Sequence, residues 1–163
     1  MMSSAVPTAS IFGPPASGES AERRVAPPPP WEHLWFTLLQ RPWSSLAIVP
    51  ARRGLDPLVT ARGLAAISQA YLEHAATVID ATRITPSDVA VRLRAATERT
   101  AAGGRVIVAS GSPLERAACI PMVRGTDAAV LLVQIGSTAL AEARRTIDVV
   151  GASHFIGAIT VPR

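Results

Sequence analysis

The chain has 163 residues, of which 48% are hydrophobic and only 4% aromatic, so we expect one domain with an aliphatic core plus a tail. The net charge is only +4, and no basic run is longer than a pair, which does not favour nucleic-acid binding. All 16 basic residues are Arg, and the absence of Lys excludes a Walker-type ATPase, whose phosphate-binding loop requires one.

The amino-terminal residues 1–30 are rich in Pro, Ser and Ala. Such a composition cannot bury enough apolar surface to offset the loss of chain entropy, so it predicts a disordered tail. Four consecutive prolines, Pro27 to Pro30, predict a stiff polyproline spacer at its end. The folded domain is therefore expected to span residues 31–163.

The first predicted helix covers residues 31–40, where apolar side chains recur at helical spacing. Two interpretations are open: the helix covers its own sheet, or it anchors another subunit, because Trp is enriched at interface hot spots. The candidate interface residues are Trp31, Leu34, Trp35, Leu38, Leu39 and Trp43.

Strands and helices then alternate to the end of the chain. We predict strands at 45–49, 77–80, 105–108, 128–133 and 155–161, and helices at 57–75, 87–102, 113–124 and 138–150, with Ser87 as the N-cap of the second of these helices. The alternation predicts a three-layer, doubly wound α/β fold with a mostly parallel sheet of about five or more strands. Ligands bind such sheets at the carboxyl ends of the strands, so the segments after Val49, Ile79, Val108 and Val133 are where a site is expected.

The turn after the first of these strands differs from a phosphate-binding loop at each key position. On the spacing G-x-x-x-x-G-K-[ST], Ala51 and Asp56 replace the glycines, Pro57 replaces the lysine and Leu58 replaces the hydroxyl residue. Asp56 is expected to cap the following helix and to occupy amide hydrogens that would bind phosphate. Leu58 cannot coordinate magnesium. We therefore predict a degenerate nucleotide site.

Other site chemistries are poorly represented. Cys119 is the only cysteine, and the three histidines lie far apart in the sequence, so neither a metal nor a cofactor is expected. No signal peptide or membrane-spanning run is evident, which predicts a cytoplasmic protein that reaches a membrane only through a partner.

From Trp31 to Arg163 the sequence resembles bacterial tyrosine kinases of the CpsD/CapB type. These kinases are the cytoplasmic domain of polysaccharide co-polymerases and are related to the MinD/ParA ATPases. The resemblance therefore implies a degenerate fold of the P-loop NTPase type. Residues 78–86, VIDATRITP, are similar to the family's IDADLRRP, and residues 107–113, IVASGSP, to its IIDTPP. Residues 126–138, TDAAVLLVQIGST, resemble ADGVLLVVRAGRTS, and residues 155–160 resemble the closing VLGVVLN. Of these four segments, residues 126–138 give the most distinctive match.

The resemblance assigns roles that this chain fills only in part. Asp80 matches the aspartate that handles magnesium, and Arg83 matches an arginine after it, whereas Ala109 stands at the Walker B aspartate and Thr160 at the base-contacting asparagine. The leading helix keeps Glu32, but Trp35 and Leu38 stand where the family's oligomerisation motif carries arginines, and its carboxyl-terminal tyrosine cluster has no counterpart. The vestigial site then comprises Ala51, Arg52, Arg53, Gly54, Asp56, Pro57, Leu58, Asp80, Arg83 and Ala109.

The resemblance implies a catalytically inactive kinase-like protein that regulates or scaffolds bacterial exopolysaccharide or capsule synthesis and export. Its expected partner is an inner-membrane polysaccharide co-polymerase or an active kinase, docked through the Trp-rich helix, with self-association as a further option. Two alternatives stay open: an enzyme with a divergent phosphate site built from Arg52, Arg53, Asp80 and Arg83, and a ParA-like accessory protein.

Overall fold

The computed structural model describes residues 8–10 and 30–163. The elements are β1 (Thr8–Ser10), α1 (Pro30–Leu38), β2 (Ser45–Pro50), α2 (Pro57–Tyr71), β3 (Thr77–Ala81), α3 (Pro86–Ala101), β4 (Val106–Ser110), α4 (Cys119–Arg124), β5 (Ala128–Gln134), α5 (Leu140–Val150), a 3₁₀ turn (Ala152–His154) and β6 (Phe155–Val161).

The six strands form one sheet in the order β1-β6-β5-β2-β4-β3. β2 to β6 are all parallel, which confirms the predicted fold class, and only β1 runs antiparallel to its neighbour, β6. β1 falls inside the segment predicted to be a disordered tail: Thr8 is paired with Thr160, and the Thr160 hydroxyl donates to the Thr8 carbonyl at 2.8 Å. Apart from Pro30, the first residue of α1, the rest of that predicted tail lies outside the described residues.

Helices cover both faces of the sheet and make three layers. On one face, α1 and α2 pack on alternate strand residues that include Leu46, Ile107 and Leu132. On the other face, α3, α4 and α5 pack on the intervening positions, such as Val49, Val108 and Ala129. Strands buried on both faces have near-continuous apolar sequences, as the burial of every residue of β2 and β4 illustrates.

Two predicted helix starts were wrong, each for a local reason. α3 begins at Pro86 rather than after Ser87, because Thr85 is the N-cap and the Asp88 carboxylate accepts from its backbone N–H at 3.1 Å. α4 begins at Cys119 rather than at 113. A helix from 113 would place Pro121 in its interior, where a missing N–H and a ring clash break the backbone pattern, whereas a start at Cys119 leaves it in the first turn.

The Trp-rich helix α1 covers its own sheet, as the first interpretation predicted. Leu34, Trp35, Leu38 and Trp43 are at most 5% exposed and belong to the core, while Trp31 and Leu39 are half-buried against it. These four buried side chains cannot meet a partner, so any docking at α1 would use its outward side, where Phe36 is 50% exposed. Among the described residues, no helix combines the length and the apolar character needed to cross a membrane.

Candidate functional site

A crevice opens where the connections from two adjacent strands diverge. β2 leads into α2 on one face of the sheet, whereas its neighbour β4 leads toward α4 on the other face. The carboxyl ends of these strands are the place where open α/β sheets bind ligands. A cavity of about 230 Å³ lies there, lined by Pro50, Arg52, Gly54, Leu55, Asp56, Pro57, Thr82, Gly111, Ser112 and Glu115. The sequence had pointed to three of the loops that form it.

The turn from β2 to α2 is built as a helix cap. Asp56 has extended backbone angles, and its Oδ1 accepts from the Leu58 N–H at 2.9 Å, while Pro57 occupies the first helical position and has no N–H. Gly54 adopts a φ of +76°, which lets the chain reverse. Two of the amide groups that a phosphate would need at this helix start are therefore engaged or missing.

The two arginines of this turn have different surroundings. Arg52 lies in the cavity wall, and its Nη2 donates to Gln134 Oε1 at 3.0 Å, but its buried Nε has no partner in the described structure. Arg53 is largely exposed, and its Nε lies 3.7 Å from Glu115 Oε1. An exposed pair of this kind contributes little to stability, yet it neutralises Glu115 at the rim of the crevice.

The predicted magnesium-handling aspartate does not face this cavity. Asp80 Oδ1 accepts from the Thr82 hydroxyl at 2.6 Å and from the Thr82 N–H at 3.0 Å, an arrangement that closes its own turn. The Thr82 hydroxyl, helped by Arg92 and Arg62 at longer range, holds the pKa of this carboxyl below its usual value. Asp80 lines a separate hollow beside α3.

The other vestigial positions are spread over different environments. Ala109 is fully buried in the core under α1 and α2, paired in register with Asp80 on β3. Ala51 is also fully buried, and Leu58 packs against the α1–α2 core. Arg83 is exposed. The structure thus brings Arg52, Gly54, Asp56 and Pro57 together at the crevice, while Asp80, Arg83 and Ala109 lie outside it.

The loop after β4 supplies residues that the sequence analysis did not assign to the site. Ser112 is 4% exposed and lies in the cavity wall, and its Oγ has no hydrogen-bond partner among the described residues. Gly111 sits so close to the β3 turn that a Cβ there would come within 2.4 Å of the Thr82 carbonyl oxygen. Gln134, which holds Arg52, is the last residue of β5. Their positions at strand carboxyl ends were the available signal.

A second cavity, of about 180 Å³, adjoins the first and shares Leu55 and Asp56 with it. Its remaining walls include Trp31 from the start of α1 and the ends of β5 and β6. Gly63 on α2 makes room for the Trp31 ring, because a Cβ at that position would lie 2.6 Å from it. The two cavities both lie at the carboxyl edge of the sheet.

Redox and metal chemistry find little support among the described residues. No group of three or more His, Cys, Asp or Glu side chains in this part of the chain is placed to hold a metal ion. Cys119 is fully buried, and that burial raises the pKa of its thiol, so it stays protonated at neutral pH and is a poor nucleophile.

Comparison with known proteins does not identify the chain further, since neither a protein-family model nor a curated protein sequence matches it.

Proposed function

We propose that this protein is a catalytically inactive relative of the CpsD/CapB-type tyrosine kinases that regulates or scaffolds the synthesis and export of a bacterial exopolysaccharide or capsule. It would act by docking on an inner-membrane polysaccharide co-polymerase or on an active kinase. The segment resemblance supplies the pathway, and the geometry at the β2–α2 turn supports the loss of catalysis.

One observation carries the inactive assignment. Asp56 places a carboxylate at the start of α2, and this carboxylate accepts from the Leu58 N–H at 2.9 Å. A backbone N–H at a helix start is the type of donor that a phosphate would otherwise engage. A nucleotide there would meet this negative charge without a lysine to offset it. Repulsion and the loss of amide donors both oppose nucleotide binding.

Calorimetric titration of the full chain with ATP and with ADP, each with magnesium, tests this point. We expect no saturable heat at micromolar nucleotide. Binding in that range would contradict the inactive assignment and favour the divergent phosphate site that includes Arg52 and Arg53.

The docking step has its own test, a pull-down of the tagged chain from the bacterium that encodes it. We expect recovery of an inner-membrane co-polymerase or a tyrosine kinase of this type. Phe36→Asp is the informative variant, because Phe36 is 50% exposed on α1. Its ring packs edge-on against the Tyr71 ring, with 4.9 Å between the ring centroids. Val91→Asp is the matched control, since Val91 is 65% exposed on α3, on the other face.

The scaffold proposal predicts that Phe36→Asp loses the partner and that Val91→Asp retains it. A pull-down that recovers no component of envelope-polysaccharide synthesis would count against the pathway, and equal recovery by both variants would place the contact away from α1.

A further inference from the structure

The outer edge of β3 is open in the part of the chain that the structure describes. β3 is the last strand of the sheet and pairs only with β4 among these residues. The Thr77 N–H donates to a carbonyl just before β4 at 2.9 Å, and the Ala81 carbonyl accepts from an N–H just after β4 at 3.2 Å. Because backbone groups alternate along a strand, Val78 and Asp80 direct their N–H and C=O groups away from β4. Two donors and two acceptors therefore face outward.

A groove runs between this outer edge and helix α3. One side is formed by residues 78–80 of β3, and the other by Asp88, Val91, Arg92 and Ala95. These four residues recur at i, i+3, i+4 and i+7, so they form one stripe of the helix. The β3–α3 groove measures about 360 Å³, which is larger than either cavity at the carboxyl edge.

The helix wall of the β3–α3 groove presents apolar surface. Val91 is 65% exposed, and Ala95, one turn further along α3, is also exposed. In strand addition, an extended peptide joins an open sheet edge, where main-chain bonds supply affinity and pockets for alternate side chains supply specificity. Apolar side chains on one face of such a strand would meet Val91 and Ala95.

The charges of the groove select the strand that can join it. Asp80 and Asp88 contribute two carboxylates, whereas Arg92 contributes one guanidinium. The Asp88 carboxylate accepts from the Thr85 N–H at 3.1 Å and is committed to the helix cap, while Asp80 is exposed on the strand. Opposite charges that face each other across two strands are stabilising, and like charges are destabilising. A strand that joins β3 is therefore favoured by a basic residue beside Asp80.

A second copy of this chain does not meet that requirement through β3. Residues 77–81 contain Asp80 and no basic residue, so pairing two β3 strands would add a second carboxylate to the edge. The described part of the amino-terminal segment, β1, is paired with β6 at the opposite edge of the sheet. The occupant that matches the groove is thus a segment of another protein.

We propose that the β3–α3 groove binds an extended segment of a partner protein, which joins the sheet as a further strand. The segment alternates apolar residues, which face Val91 and Ala95, with an Arg or Lys residue beside Asp80. Its main chain pairs with the outward N–H and C=O groups of Val78 and Asp80. This surface is separate from the docking at α1 and does not require the proposed role in polysaccharide synthesis.

Titration of the isotope-labelled full chain with synthetic peptides, followed by NMR, tests the proposal. The probe is acetyl-Thr-Val-Arg-Val-Thr-amide. One comparator carries Glu in place of Arg, and the other is N-methylated at its three central amides and cannot pair through its main chain. We expect saturable binding of the probe with slower hydrogen exchange at the Val78 and Asp80 amides, about fivefold weaker binding of the Glu peptide, and no binding of the N-methylated peptide.

Absence of probe binding would overturn the proposal, and so would equal binding of the N-methylated peptide. Equal affinity for the Arg and Glu peptides would overturn the selectivity assigned to Asp80.

Variants locate the binding in the β3–α3 groove. Val91→Asn removes apolar surface at an exposed position, so it should fold normally and weaken probe binding about fivefold. Asp80→Asn removes the charge and should abolish the preference for the Arg peptide over the Glu peptide. Leu140→Asn is the matched control, because Leu140 is 71% exposed on α5 and does not line the groove.

Unchanged affinity in folded Val91→Asn would overturn the groove as the binding site. Self-association of the full chain that Val91→Asn abolishes would assign the groove to a second copy and would also overturn the proposal. Should Asp80→Asn fail to fold, the Glu peptide and Val91→Asn answer the question without it.

Discussion

The two edges of the parallel sheet differ in how their polar groups are satisfied. At the amino edge, where the strands begin, Asp127 Oδ2 accepts from the N–H groups of Ser44 and Ser45 at 2.7 and 2.9 Å. Arg105 donates to the Trp43 carbonyl and lies over its ring, with the guanidinium carbon 4.7 Å from the ring centroid. At the carboxyl edge, Ser112 Oγ and Arg52 Nε have no partner among the described residues, and two cavities separate the loops.

This difference indicates that the two edges of the sheet have different roles. The amino edge uses its polar groups to join the strands to one another, which contributes to stability. At the carboxyl edge, two buried polar atoms lack a partner among the described residues, which has a cost for folding. A third unpartnered buried atom, Trp35 Nε1, lies in the core under α1 rather than at either edge.

The largest expected effect on the free energy of unfolding comes from adding one methyl group at the carboxyl edge, and the same addition at the amino side is its control. Gly111→Ala at the carboxyl edge would place a Cβ 2.4 Å from the Thr82 carbonyl oxygen and 3.2 Å from Cys119 Sγ. Because a backbone atom must move, we expect a loss of about 3 kcal/mol in the free energy of unfolding. Gly125→Ala at the amino side is the matched control.

At Gly125 the three atoms nearest to the added Cβ would all belong to the flexible Leu93 side chain, which can shift more easily than a backbone atom. We expect a change of about 1 kcal/mol or less. Urea denaturation followed by circular dichroism measures both variants. Equal losses would show that the close approach of the β3 and β4 loops does not constrain the crevice.

A smaller effect is expected from the amino edge itself. Asp127→Ala removes the acceptor of two backbone N–H groups, and we expect a loss of about 1–2 kcal/mol in the free energy of unfolding. Asp148→Ala on α5 is the control, because Asp148 is exposed and makes no side-chain hydrogen bond within the described residues. A loss no larger than that of the control would contradict the stabilising role assigned to this edge.

The smallest expected effect is a pH dependence at the carboxyl end of β3. The Thr82 hydroxyl lowers the pKa of Asp80 from its ordinary value of 3.8. A lowered pKa in the folded state stabilises the fold above that ordinary value, and this contribution is lost as the pH falls through the folded-state pKa. Asp80→Asn should therefore lose less stability than the original chain on acidification from neutral pH to below 3.8. If the free energy of unfolding fell equally in both proteins over this pH range, the result would contradict the prediction.

Much of the fold follows from the sequence, because each strand is a short aliphatic run between helices of suitable length. The order of the strands could not be predicted, since β2 pairs with β4 and β5 through contacts far apart in the chain. β1 was missed because Thr8–Ser10 lies in a polar, Pro-rich segment and is a strand only through its pairing with β6. Tertiary pairing overrides local composition there.

The candidate site was only partly predictable. The turn at residues 51–58 could be singled out because a phosphate-binding motif has fixed spacing, and the first cavity lies beside this turn. That the turn is a degenerate phosphate-binding loop stays a prediction. Ser112 and Gln134 are ordinary residues in sequence, and their importance depends on burial and on the position of Arg52. Asp80 was expected to belong to the vestigial site, but its hydrogen bonds to Thr82 close its own turn.

The pairing of β1 with β6 also determines where the sheet can grow. The described strands leave two edges of the sheet, β1 and β3, and β1 occupies the position beside β6. An uncovered strand edge presents free N–H and C=O groups and invites another chain to add, and a charged side chain on it opposes such pairing. Asp80 is the exposed, charged residue of β3. Asp80 therefore opposes the addition of another chain at the β3 edge unless that chain places a positive charge beside it.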